Sequence, residues 1–393
     1  MSKLLALSLG LALSFAAAPS VQAAKPKATP KTFVLKLRTS EPRIRSGKLE
    51  TVMIAKNFKL DQAAVARSKK YNKLSSSLTP ALERIFKSLG RRQPSEAYFG
   101  NVKGNWVASQ QTGWEVDRAK TKAALRSAIA SGKSSATIVL DRREPKRSVR
   151  DWARRGILYH YGSGTSNFAG SPSFRVKNIL VGAKRLEERY VEPGQEFDFN
   201  AYVGKIDKTT GFVPGFVISD GTLSKEDGGG ICQVSATIFR TAYNAGLPIT
   251  ERHQHSHRVS YYDPVGFEAT VYAPAKNFKF KNNTGKPLFI QASWNLARQT
   301  LTFDLFGEKP DRRVTVSRPI ITDFKAPAKP SYTADKAVRN GVQRRIDVPA
   351  QGMTVRILRR VKMPDGKVRK DETRSVYQPW GAVYAVNPKD NRL

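Results

Sequence analysis

One stretch constrains this chain more than any other. Gly228-Gly229-Gly230 runs straight into Ile231-Cys232-Gln233-Val234-Ser235. Glycines permit a tight turn and let another group approach the backbone closely. The residues that follow are amphipathic: Val234, Ile238, Phe239, Ala242 and Tyr243 recur at helical spacing, and Gly246 is a natural stop. The pattern predicts a helix over 234–245 with Cys232 at its N-terminal end, where the helix dipole favours a thiolate. His255 follows, inside Glu251-Arg252-His253-Gln254-His255-Ser256-His257. A cysteine at a helix start, with histidine on the next element, is the pattern of a thiol nucleophile and its base.

Cys232 is the only cysteine in 393 residues. Met1–Ala23 has a lysine near its start, an apolar run from Leu4 to Ala18 and a small-residue end at Val21-Gln22-Ala23, which predicts a secretory signal peptide. The apolar run is too short for a membrane span and no second one follows, so an exported chain without a transmembrane segment is expected, periplasmic or wall-associated. Such a chain has no internal disulfide. An idle thiol outside the cytoplasm is a liability to oxidation, which points to a task for Cys232.

The net charge is +36 and unevenly spread. Residues 25–150 carry 29 Lys/Arg against 9 Asp/Glu, residues 151–307 carry 18 against 14, and residues 308–393 carry 20 against 9. Basic flanks on a nearly neutral middle suit anionic envelope polymers in an exported protein. No recognition helix or RNA-binding motif supports nucleic acid as the partner.

Composition and periodicity divide the chain into five parts: the signal peptide 1–23, a disordered basic linker 24–31, a small α+β module 32–150, a central block 151–307 and a β-rich basic tail 308–393. In the module, Thr79-Pro80 opens a helix buried through Leu82, Ile85, Phe86 and Leu89, and Asp117 caps a second from Arg118. Arg142–Arg155 reads as a basic linker. The central block predicts a helix from Phe174 to about Glu188, strands at Phe197–Asn200 and Gly211–Ile218, and a turn at Asp220-Gly221. The cysteine helix comes next, then strands at Arg258–Tyr262, Ala269–Tyr272, Phe278–Phe280, Leu288–Ala292 and Leu301–Phe306. The fold class expected is α+β, a cysteine-bearing helix packed on a mainly antiparallel sheet.

The central block resembles the VanW family. The resemblance lies in Arg175-Val176-Lys177-Asn178-Ile179, Pro193–Asn200, Val203-Gly204, Gly228–Ser235, Ala245-Gly246-Leu247, Glu251–Ser256, Ala269-Thr270-Val271 and Phe278–Thr284. The module around Trp114 looks like the peptidoglycan-binding domain that often precedes this block, and the tail looks like the small wall-adhesion domains that often follow it. One departure stands out. Where the family pattern is Gly-Arg-Asp-Ala-Thr, this chain has Gly266-Phe267-Glu268-Ala269-Thr270, which keeps the carboxylate but adds a methylene. The resemblance implies an envelope role more firmly than a reaction, and it does not imply vancomycin resistance.

Three chemistries remain open. In the first, Cys232 is a nucleophile, His255 its base, and Glu268, or failing it Asp263, orients the imidazole. The reaction would be amide hydrolysis or acyl transfer on peptidoglycan stem peptides. In the second, the same motif binds peptidoglycan or another anionic wall polymer without turnover. Gly228, Gly229 and Gly230 then form an accessible loop, Gln233, Ser235 and His255 hold the ligand, and Arg175, Asn178 and Asn200 line or brace the site. In the third, Cys232 with His253, His255 and His257 on one strand face binds zinc.

Overall fold

The computed structural model describes residues 32–219 and 222–393. The expected signal peptide, the linker 24–31 and the Asp220-Gly221 turn lie outside the described residues. The chain forms two compact units. Among the described residues, one comprises 32–38 with 55–90 and 116–140, and the other comprises 39–54, 91–115, 141–219 and 222–393.

The first unit is built by local rules that the sequence states openly. Asp61 accepts from the Ala64 N–H at 2.7 Å to cap the helix Gln62–Lys70. Asp117 does the same for Arg118–Ala130 through the Lys120 N–H at 2.8 Å. The helix Thr79–Leu89 has Pro80 in its first turn and buries Leu82, Ile85 and Phe86 as expected, whereas Leu89 is only partly buried; its cap position is Leu78. Val34–Lys36 pairs in parallel with Ser135–Thr137. Leu35, Leu37, Leu82, Phe86, Leu125 and Ile129 meet in one core.

The second unit holds the cysteine. Its central sheet has four strands in the order Tyr159–Asn167, Thr300–Gly307, Leu288–Asn295 and Tyr190–Val191, all antiparallel. The cysteine helix, Ile231–Asn244, lies against this sheet so closely that a Cβ on Gly164 would sit 2.4 Å from the Thr241 nitrogen. Thr241 Oγ1 donates to the Phe303 carbonyl at 3.2 Å. The helix Ser173–Leu186 packs beside it, with Gly182 making room for Ile231 and Val234. Ile179, Val234, Ile238, Phe239, Phe278 and Phe303 form the core between these elements. The fold is mixed α+β, as the sequence predicts.

Several elements differ from expectation. The stretch 142–155, read as a linker, contains the helix Val149–Arg155, whose Trp152 is fully buried against Ile44, Phe99, Phe289 and Phe306. Phe197–Asn200 is split between a strand, Glu196–Asp198, and a helical turn, Phe199–Val203, because Asp198 accepts from the Ala201 N–H at 2.9 Å and caps it. No strand forms at 258–262, which ends in a 3-10 turn, Ser260–Tyr262. Ala269–Val271 joins no ladder; Thr270 N–H bonds the His253 carbonyl at 2.8 Å instead. In both stretches, β-favouring residues serve the site rather than a sheet.

The tail is β-rich. Its long hairpin pairs Gly352–Lys362 with Val368–Tyr377 around a turn at Pro364-Asp365-Gly366. Met353, Val355, Ile357 and Tyr377 enter the same core as Phe239 and Phe278.

Candidate functional site

The glycine run sets the cysteine in place. Gly230 is the N-cap of the helix at φ +108°, a conformation L side chains rarely adopt, and a Cβ there would come within 2.8 Å of Arg175 Cγ. Asn178 is fully buried beneath the loop. Its amide donates to the carbonyls of Val213 at 2.9 Å and Gly229 at 3.0 Å, and its oxygen accepts from the Val213 N–H at 2.9 Å. The Ile231 and Gln233 N–H groups bond the Gly228 and Gly230 carbonyls, each at 2.9 Å.

Cys232 is half-buried, with Sγ 3.6 Å from the Val271 carbonyl. His255 Nδ1 meets Glu268 Oε2 at 2.7 Å, and the His255 backbone N–H bonds Glu268 Oε1 at 3.3 Å. Nδ1 is thereby engaged, which leaves Nε2 as the ring nitrogen through which His255 can act on the thiol. Tyr262 stacks on the imidazole, ring centroids 4.6 Å apart and planes within 9°. Glu268 is 2% exposed and accepts a further bond from the Tyr377 hydroxyl at 2.7 Å.

The electrostatics run one way. Burial opposes the thiolate, but the hydrogen bond and positive charge of His255 outweigh it and bring the thiol below its ordinary value. Burial also opposes the imidazolium, yet Glu268 and Cys232 push His255 up to about 10. Glu268 is held below the usual carboxylate range despite its burial, by the charge and hydrogen bond of His255, by Tyr377 and by Arg252. The surroundings bias Cys232 toward thiolate and His255 toward imidazolium, with the Glu268 carboxyl behind them biased toward its ionised form.

The other expected residues fall in distinct places. Arg175 donates to Ser171 Oγ at 2.6 Å and to Gln233 Oε1 at 2.8 Å, and stacks over Tyr261 at 3.9 Å. Gln233 also donates to the Asn167 carbonyl at 3.2 Å and is fully buried. Ser235 faces inward and donates to the Ala269 carbonyl. Asn200 bonds Lys276 and Asn277. Asp263, the other acid considered, pairs with Arg258 at 2.8 Å, so Glu268 is the acid at His255.

The three histidines do not share a face as the zinc reading requires. The segment 252–259 is not a strand, and the side chains diverge. His253 pairs with Glu251 at 3.1 Å, His255 with Glu268, and His257 stacks on Trp380 with centroids 4.2 Å apart. Among the described residues, no cluster of three or more His, Cys, Asp or Glu side chains could hold a metal ion.

Residues 174–306, which contain Cys232, His255 and Glu268, match the family model described as VanW like protein. This block is thus VanW-like. The VanW-like domain is similar to the uncharacterized protein YoaR of Bacillus subtilis (strain 168), 37% identical over 131 residues, covering 33% of this chain and 43% of that protein. It is also similar to the Vancomycin B-type resistance protein VanW of Enterococcus faecalis (strain ATCC 700802 / V583), 30% identical over 115 residues, covering 28% of this chain and 42% of the relative. The chain thus spans less than half the length of these relatives. The crystal structure of HP0197-G5 matches 19% of the chain and 97% of its own length at 17% identity and a TM-score of 0.11, a likeness too slight to define a fold.

Two contributors to the site escape the sequence reading. Tyr262 lies in a stretch read as a strand and instead stacks on the histidine. Tyr377 lies 109 residues beyond Glu268 and outside the VanW-like domain, and no local pattern marks it.

Proposed function

We propose that this is a cell-envelope protein whose VanW-like domain engages peptidoglycan or another anionic wall polymer at Cys232, which His255 and Glu268 hold as a reactive thiolate. The observation that carries the reading is the 2.7 Å contact of His255 with the buried Glu268, on the histidine whose charge lowers the Cys232 thiol. The similarity to a vancomycin resistance protein and the net charge of +36 support an envelope setting and an anionic partner.

The depressed thiol favours a second reading, a reaction on stem peptides. The thiolate would attack an amide carbonyl, and His255 would pass its proton to the departing amine. Water or another amine, giving up its proton to His255, would then attack the thioester carbonyl and break its C–S bond, releasing the acyl group as acid or amide and restoring the Cys232 thiolate and the imidazolium.

The test is the rate of iodoacetamide labelling of Cys232 from acid to neutral pH, in the wild type and in His255→Ala. Labelling that persists well below neutral pH, and shifts toward an ordinary thiol midpoint of about 8.5 in the variant, is the expected result. An ordinary midpoint in both proteins would sink the activated thiol. Binding to purified sacculi, and product analysis with muropeptides, then separate capture from turnover.

A further inference from the structure

We propose that Tyr377, contributed by the tail beyond the VanW-like domain, is a positioning residue of the Cys232 centre: its hydroxyl fixes Glu268 so that the carboxylate can orient His255. The proposal deepens the activated-thiol reading and rests on it.

The geometry is specific. The Tyr377 hydroxyl donates to Glu268 Oε1 at 2.7 Å and accepts from the Gly266 N–H at 3.2 Å. One phenol thereby locks both the carboxylate and the backbone two residues before it. Oε1 is also bonded by the His255 N–H, while Oε2 is the oxygen on His255 Nδ1. A carboxylate with one oxygen anchored cannot rotate away from the imidazole; without the phenol, that restraint falls to a 3.3 Å backbone bond. Tyr377 itself is 3% exposed and packed in the core that holds the cysteine helix. The adjoining residues tie the same segment to the histidine loop. Gln378 N–H bonds the Ser256 carbonyl at 2.7 Å, and Trp380 stacks on His257.

The other charged and titratable groups facing this cluster are few. Arg252 donates to the Glu268 carbonyl at 2.7 Å, and Arg240 feels the charges of Glu268 and Asp263. Tyr262 covers the imidazole and lies by Arg175, and His257 is the neighbouring imidazole. None of these supplies a second side-chain hydroxyl to Glu268 Oε1, so the loss of Tyr377 leaves that oxygen without an equivalent donor.

The experiment is the pH profile of iodoacetamide labelling at Cys232 in the full chain, for the wild type, Tyr377→Phe, Glu268→Gln and the double variant. Tyr377→Phe removes one oxygen and is expected to raise the labelling midpoint by about one pH unit, a tenfold loss of thiolate at acid pH. In the Glu268→Gln background the same change should do nothing further, because the two residues act in series. Tyr377→Met, apolar and of similar reach, carries the same expectation should the phenylalanine variant fold poorly. A low wild-type midpoint unmoved by either Tyr377 variant overturns the proposal. So does a shift of equal size with and without Glu268, which would mean general loosening of the core. An ordinary midpoint in the wild type itself overturns the activated thiol, and the role of Tyr377 with it.

Discussion

His255 stands between two groups that each stabilise its charged form, the Glu268 carboxylate and Cys232 as its thiolate. Glu268, held low, favours the folded state above the ordinary carboxylate value of about 4.3 and loses that advantage as pH falls through its folded value. His255, held high, favours the folded state fully below about 6.5 and loses the advantage as pH rises toward about 10. Both contributions are therefore complete only between about pH 4.5 and 6.5. The thiol adds the opposite slope, complete above about 8.5 and fading as pH falls. Glu268→Gln removes the charge that His255 depends on. Thermal melts of wild type and variant should differ most in the mildly acid window, by about 2 kcal/mol for one buried charge-assisted bond, and converge toward pH 10. A difference independent of pH would show that Glu268 matters through packing and not through its charge.

At the scale of elements, the cysteine helix was legible because its apolar spacing, its glycine start and its Gly246 stop all agree. The structure extends it to Ile231–Asn244 and puts Cys232 in its first turn. Cys232, His255 and Glu268 were legible as a candidate group from their residue types and order, but the backbone that carries them was not, since His255 and Glu268 sit on irregular backbone that periodicity cannot describe. The glycine run was read as an accessible loop. Gly228 and Gly229 are buried and Gly230 is tightly packed against Arg175. Gly230→Ala should cost at least about 2 kcal/mol, from a strained positive φ and a 2.8 Å clash together. Urea unfolding measures it, and a loss below half that value would mean the loop re-forms freely. The stretch 142–155 misled for a different reason. Its charged residues look like a linker, whereas Val149 and Trp152 carry the burial. Trp152 is enclosed by Phe99, Phe289 and Phe306, with its indole N–H on the Tyr190 hydroxyl at 3.0 Å. Trp152→Ala should destabilise the second unit by about 3–5 kcal/mol, and a near-neutral urea midpoint would return the segment to linker status.

At the scale of the whole molecule, the question is whether the basic tail is separable. Its composition, 20 basic residues against 9 acidic, suggests a module that binds by charge alone. Its packing argues otherwise. Met353, Val355, Ile357 and Tyr377 are all at most 5% exposed, in one cluster with Phe239 and Tyr243 of the cysteine helix. The Arg359 guanidinium, 3% exposed, bonds the Tyr243 carbonyl at 2.9 Å and Asp371 at 2.7 Å. A chain ending at Gly307 would expose the apolar face of the cysteine helix and strip Glu268 of its phenol donor. Burying even four such side chains contributes several kcal/mol, at about 1.5–3 kcal/mol each, a large share of ordinary domain stability. The truncated protein is therefore expected to aggregate, or to unfold at markedly lower urea, and to label at Cys232 with an ordinary thiol profile. If it remained monomeric on size exclusion with an unchanged midpoint and labelling profile, the tail would be an appended module after all, and the Cys232 centre would be complete within residues 174–306.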